Sequence, residues 1–240
     1  MKNKTKNSAR KFWNFKVLDE KTGELTLYGE ISDVSWWGDE VTPKQFKEDL
    51  DSLGDIETLN VYINSSGGDV FAGQAIYSML KRHKAQINVY IDGLAASIAS
   101  LIAMAGDRVI MPANAMMMIH NPWTFASGNA NDFRKLADDL DKIRDSMVVA
   151  YKEKSGLEAE EIIKIMDAET WLTAEECKNY GFADEIEETK QVAAYVDEKY
   201  LAKYKNVPEV LKKTSDPPSE GVKNSENDLK KRKLLLELEL

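Results

Sequence analysis

An α/β domain on a largely parallel sheet is what this sequence predicts, and three observations carry the prediction. Strand-like apolar runs alternate with helical periods in the order β-α-β-α. The strands read as near-continuous apolar runs, the pattern of a sheet covered on both faces. With 240 residues, 43% of them hydrophobic, the chain has material for one ordinary core plus a tail, or for two small domains.

The elements follow in order. "ELTLYGEI" and "LNVYINS" are strands, and a helix is predicted from about Asp69 to Lys84. "QINVYIDG" is the next strand, followed by the apolar helix "SIASLIAMAG" and two short strands, "RVIMP" and "AMMMIHN". From Asn129 to about Lys154 the chain reads as one long polar helix. Phe133, Leu136, Leu140, Ile143, Met147 and Ala150 recur along it at spacings of three and four, a seam narrower than a globular helix usually carries. Such a seam wants a partner helix, in this chain or in another subunit. A helix opened by "SGLEAEE" comes next, and then one capped at Thr173, with Glu176 three residues on completing a capping box. From Lys190 the pattern weakens: "SDPPSEGVKNSEND" has the composition of a flexible linker, and "LKKRKLLLELEL" of a short amphipathic end. The domain limits read as a flexible segment 1–15, a main domain 16–189 and a largely flexible extension 190–240.

Composition excludes several classes of function. A net charge of −9 argues against a nucleic-acid or anionic-membrane surface. No apolar run reaches the ~18 residues of a membrane span. "MKNKTKNSARKFWNF" lacks the apolar stretch of a secretory signal, though it could be a processed leader or a pore-lining segment. The single cysteine, Cys177, cannot make an internal disulfide, so a cytoplasmic location is expected. Two histidines and no spaced cluster speak against a metal site, and no nucleotide-binding motif is present, so no cofactor is expected.

Three short stretches could carry chemistry. Ser97 stands where an apolar helix begins: it could cap that helix, or be a nucleophile placed where the helix end favours developing negative charge. In "INSSGGD", Gly67 and Gly68 end a strand, as a tight turn or as a cradle of backbone N–H groups. His120 closes the strand "AMMMIH" and could be a structural histidine or a base. His83 is the poorer base, because "KRHK" surrounds it with cations that disfavour the imidazolium. Asp167 and Glu169 in "MDAETW" are carboxylates that could orient a histidine.

Taken together, "YINSSGGDVFAGQAIYSML", "DGLAASIAS", "MMMIHNP" and "WLTAEECKNYGFADEI" resemble the four ordered blocks of the ClpP family, the proteolytic subunit of the Clp protease. The resemblance runs from about Tyr28 to Ile186. "KFWNF", "DEVTPKQFKEDL" and "ETWLTAEE" bring it closest to phage-encoded members linked to head maturation. It implies a crotonase-like superhelix of repeated β-α-β units, with a protruding handle helix at about 129–154. It also implies a serine endopeptidase in which Ser97 is the nucleophile, His120 the base, and the amides of Gly68 and Ile98 the oxyanion hole. Glu169 falls on the family's acid, with Asp167 as the alternative. Ser66 departs from the family, which usually has proline there.

Implied partners are further copies of the chain, in a heptameric ring or double ring joined through the handle, together with polypeptide substrates. An ATP-driven unfoldase or a capsid protein is a further expected partner. Two other readings stand beside this one. A crotonase-type enzyme acting on acyl-CoA thioesters would have no need of the Ser–His pair. A catalytically idle ring scaffold would use the tail for its contacts.

Overall fold

The computed structural model describes residues 11–32, 42–188 and 201–209. The sheet begins with β1 (Trp13–Val17) and β2 (Thr22–Tyr28), followed by α1 (Pro43–Asp51), β3 (Thr58–Ser65), α2 (Val70–Lys81) and β4 (Gln86–Ala96). Then come α3 (Ile98–Ala103), β5 (Arg108–Pro112), β6 (Met116–Ile119), α4 (Ala130–Ser155), α5 (Ala159–Asp167), β7 (Thr170–Thr173), α6 (Ala174–Asn179) and β8 (Glu185–Glu187).

The main path through the sheet is β1-β2-β3-β4-β5-β8. All its pairings are parallel except β1 with β2. The expected parallel β-α-β order is therefore present through β5.

One strand is shared by two arms. The first half of β4 pairs with β5 (Asn88 with Arg108, Tyr90 with Ile110), and its last three residues pair with β6 (Leu94 with Met116, Ala96 with Met118). The β3–β4 register shifts between Ile63 and Ser65, an irregularity that lets one strand bend toward a new neighbour. Antiparallel β7 then covers β6, with Ile119 opposite Thr170. This second arm carries the site.

Several expectations need correction. The boundary at residue 15 falls inside β1, whose Trp13 is buried against Phe46 with its indole N–H donated to Asp49 at 2.8 Å. An aromatic with both a pocket and an acceptor has reason to be ordered.

Among the described residues, the sheet is not fully covered on both faces. Along β3 the buried residues Leu59, Val61 and Ile63 alternate with half-buried Asn60, Tyr62 and Asn64. Tyr62 and Tyr90 stack on that outer side at 5.0 Å. One face packs against the main core while the other stays partly open, the period-2 pattern of a half-covered sheet.

The extension from residue 190 is not wholly loose either. Leu201, Tyr204 and Val207 are buried against Leu94, Ala96 and Met118 on the far side of the β4–β6 pair. The linker "SDPPSEGVKNSEND" and the closing "LKKRKLLLELEL" lie outside the described residues, as do residues 1–10.

The helices keep close to their expected limits. α2 ends at Lys81, with Asp69 as its cap accepting from Ala72 N–H at 2.7 Å. α6 carries the expected capping box of Thr173 and Glu176.

Among the described residues α4 is the longest helix, about 39 Å at 1.5 Å per residue. Asn129 and Asp132 form its N-terminal capping box, and Gly156 closes it in the left-handed conformation. Its seam divides in two. Met147 and Ala150 are buried on their own domain, together with Tyr151, whereas Leu136, Leu140 and Ile143 are only half-buried and Phe133 is exposed. Among the described residues, no helix is long and apolar enough to cross a membrane.

Candidate active site

The site begins where β3 ends. Ser65 Oγ accepts from Gly67 N–H at 3.1 Å and donates to Gly29 O at 2.5 Å, which sets the chain turning. Gly67 and Gly68 have φ of 87° and 152°, conformations costly for any residue with a Cβ. Space forbids one as well. A Cβ on Gly67 would lie 2.6 Å from Ser97 Cβ, and one on Gly68 would lie 1.8 Å from Ile31 O.

Ile31 docks here as a parallel bridge, its N–H donating to Gly67 O at 2.9 Å while its carbonyl accepts from Asp69 N–H at 2.7 Å. That bridge uses the groups on either side and leaves the Gly68 N–H out of the pairing.

Ser97 sits at the sharp passage from β4 into α3. Its N–H donates to Met118 O at 2.8 Å, tying it to β6. Its φ of 56° is in the left-handed region, where a non-glycine residue stores about 1–3 kcal/mol and survives only if its surroundings hold it. Ser97 holds the N-cap position of α3, yet its side chain makes no capping bond, so of its two possible roles the cap is the one not taken. The hydroxyl turns instead to His120, with Oγ and Nε2 2.7 Å apart. Ile98 is then the first residue of α3, so its N–H belongs to the turn of orphan donors at a helix start. Ser100, inside the helix, bonds Ser97 O and the buried Tyr151 hydroxyl, a packing role.

His120 follows β6 directly and is 7% exposed. Burial pushes its pKa down to about 4; Glu169 pulls it upward and Lys203 downward. At neutral pH the ring is therefore uncharged and able to accept a proton. His83 lies elsewhere, at the end of α2, where its Nδ1 accepts from Ala85 N–H.

The two acidic candidates part company. Continuing the antiparallel register past Ile119 and Thr170 sets Glu169 opposite His120. Asp167 Oδ1 instead accepts from Asn121 Nδ2 at 2.7 Å. Glu169 has φ of 46°, and its Oε1 accepts from the N–H groups of Lys205 and Asn206, both at 2.6 Å.

Those last donors, and Tyr204 beside them, are the residues that the sequence reading missed. The Tyr204 ring meets His120 edge-on at 5.3 Å, and its hydroxyl donates to Ser66 O. The only trace in the sequence is Leu201, Tyr204 and Val207 at intervals of three. A cavity of about 200 Å³ opens at the site, with Ser97, Gly68, His120, Val70 and Tyr204 among its walls. Among the described residues no group of acidic, histidine or cysteine side chains is arranged to hold a metal ion.

A family model described as Clp protease matches residues 44–190. The ATP-dependent Clp protease proteolytic subunit of Bacteroides fragilis is 33% identical over 140 residues, covering 57% of this chain and 67% of that protein. The subunit of the same name from Deinococcus radiodurans is 34% identical over 140 residues, with 57% and 68% covered. That from Bacteroides thetaiotaomicron is 31% identical over 140 residues, with 57% and 63% covered. The chain thus spans about two thirds of the length of these curated relatives. It belongs to the Clp protease family, and with it to the serine endopeptidases.

Proposed function

We propose that this chain hydrolyses peptide bonds with Ser97, His120 and Glu169 as its triad, and that the observation carrying this is the 2.7 Å contact between Ser97 Oγ and His120 Nε2. Neutral His120 takes the hydroxyl proton as Ser97 attacks the scissile carbonyl. The tetrahedral oxyanion is held by the N–H groups of Gly68 and Ile98, neither of which is used by the surrounding backbone pairing. His120 then gives its proton to the leaving amine, and water repeats the sequence on the acyl-enzyme. Glu169 is the acid in preference to Asp167, since the β6–β7 register sets it opposite His120 while Asp167 is bonded to Asn121.

Assembly is the second part of the reading. The open half of the α4 seam (Phe133, Leu136, Leu140, Ile143) is a handle for another copy of the chain. In a closed ring of seven, or two such rings joined through α4, the sites would face an enclosed chamber fed with unfolded polypeptide. An ATP-driven unfoldase would bring its own nucleotide site, since these 240 residues hold no Walker motif. A cytoplasmic location fits the buried, free Cys177. A capsid protein is the natural substrate to try first, given the likeness of "KFWNF" and "ETWLTAEE" to phage-encoded members.

The test is fluorophosphonate labelling of size-fractionated protein, with the modified peptide located by mass spectrometry. Modification at Ser97, lost in Ser97→Ala and in His120→Ala, is the expected result. Labelling that persists at another serine in Ser97→Ala overturns the assignment.

A further inference from the structure

The described chain beyond the family match, residues 201–209, crosses the site and touches three of its working parts. Tyr204 donates its hydroxyl to Ser66 O, on the turn that leads into Gly67 and Gly68. The same ring lies edge-on to His120 at 5.3 Å and to Trp171 at 5.9 Å. One and two residues on, the N–H groups of Lys205 and Asn206 converge on Glu169 Oε1 at 2.6 Å each, and Asn206 Nδ2 donates to Ala168 O at 2.9 Å.

We propose that Leu201–Val207 is a positioning segment of the active site: the amides of Lys205 and Asn206 hold the Glu169 carboxylate for His120, and Tyr204 clamps His120 to the Gly67–Gly68 turn. The proposal rests on the Ser97–His120–Glu169 reading above.

Three physical arguments support it. First, a carboxylate has two oxygens, so two N–H donors on Oε1 leave Oε2 free for the histidine that the register sets opposite. Amide bonds to a charged acceptor are short and strong, which suits them to fixing an orientation. Second, Glu169 has φ of 46°, a conformation that persists only where neighbours over-determine it. The bonds from residues 205 and 206, to Glu169 itself and to Ala168 O, are such neighbours.

Third, the segment is anchored and yet does not fill the site. Leu201, Tyr204 and Val207 are buried against Leu94, Ala96 and Met118, and Lys203 pairs with Glu30 at 3.4 Å. The cavity of about 200 Å³ at Ser97 stays open, with Lys203 and Tyr204 in its wall. The segment frames the nucleophile rather than covering it.

The experiment compares full-length variants by the rate of fluorophosphonate labelling at Ser97, as a function of pH, after sedimentation shows that each assembles as the parent does. Tyr204→Ala slows labelling on the order of 100-fold, the scale of a catalytic group misplaced by about 1 Å. It also moves the acid midpoint of the rate upward, because water reaches a His120 that otherwise faces Tyr204, Ser97, Glu169 and Lys203. Tyr204→Phe keeps the ring and restores the low midpoint with part of the rate.

Asn206→Pro removes one N–H from Glu169 and slows labelling more than Asn206→Ala, which keeps it. In a Glu169→Gln background the proline substitution has no further effect, because the carboxylate it served is gone. Faster labelling in Tyr204→Ala than in the parent would make the segment a cover and overturn the proposal. Unchanged rates and midpoints in Tyr204→Ala and Asn206→Pro overturn it as well. No labelling in the parent overturns the Ser97 reading itself, and this proposal falls with it.

Discussion

α3 and the outer part of α4 are both helical and of opposite character. All six residues of α3 are buried. Along α4 no residue from Ala130 to Ser146 is buried, though its apolar stripe continues. α3 is wedged between α2, β3, β4 and α4, so Ser97 at its head is held by packing from within its own chain. Among the described residues the outer part of α4 has no such support: its capping box and exposed ion pairs such as Lys135–Asp139 favour the helix, and its apolar side is left uncovered. On the proposed reading, chemistry is built into the single chain while assembly is offered by an arm. Each can be broken without touching the other.

The largest effect expected is chemical. Glu169→Gln keeps the shape of the acid and removes its charge, and should lower the rate of Ser97 acylation about 10³–10⁴-fold. Asp167→Asn should fall far less, because Asp167 is bonded to Asn121 and not to His120. Equal losses in the two variants would reverse the choice of acid.

Next is the packing of α3. Leu101 is 1% exposed, so Leu101→Ala should cost about 2–5 kcal/mol of stability, measured by urea unfolding. Leu140→Ala, half-buried on α4, should cost less than about 1 kcal/mol in the isolated chain and yet abolish the assembled species in sedimentation. A Leu140→Ala chain that assembles normally would show that the seam is not the contact.

The smallest effect is that of pH. With the His120 pKa pushed down to about 4, the ring is neutral well below pH 7, and the rate is lost only as pH falls through that value. Labelling at pH 5.5 should therefore stay within about twofold of that at pH 7.5, whereas an ordinary histidine would lose about tenfold. A tenfold loss would mean a solvated His120.

The legible parts of this protein are those whose cause is local. Glycines that must pass against a neighbour, a serine between a strand and an apolar helix, and a histidine at a strand end all lie within short stretches. They made Ser97, His120 and Gly68 candidates, and the resemblance of four ordered blocks to the ClpP family supplied the roles expected of them. The preference for Glu169 over Asp167 came from the family resemblance alone, because nothing local separates two nearby carboxylates that differ in which one the β6–β7 register sets opposite His120. The burial of Trp13 was hidden too, since its acceptor Asp49 lies 36 residues away.

The last seven residues of interest are the clearest case. "LAKYKNV" has no glycine turn, no capping pattern and no catalytic residue type in an obvious setting. Its role arises from Tyr204 reaching Ser66 across 138 positions, and from two backbone amides that any residue but proline would supply. Side-chain identity and periodicity are written in the chain and named the fold class and the long arm, while the resemblance of its motifs to the ClpP family paired Ser97 with His120. Which backbone groups meet which carboxylate depends on strand register and on how a tail packs over a sheet, and only the folded structure decides that.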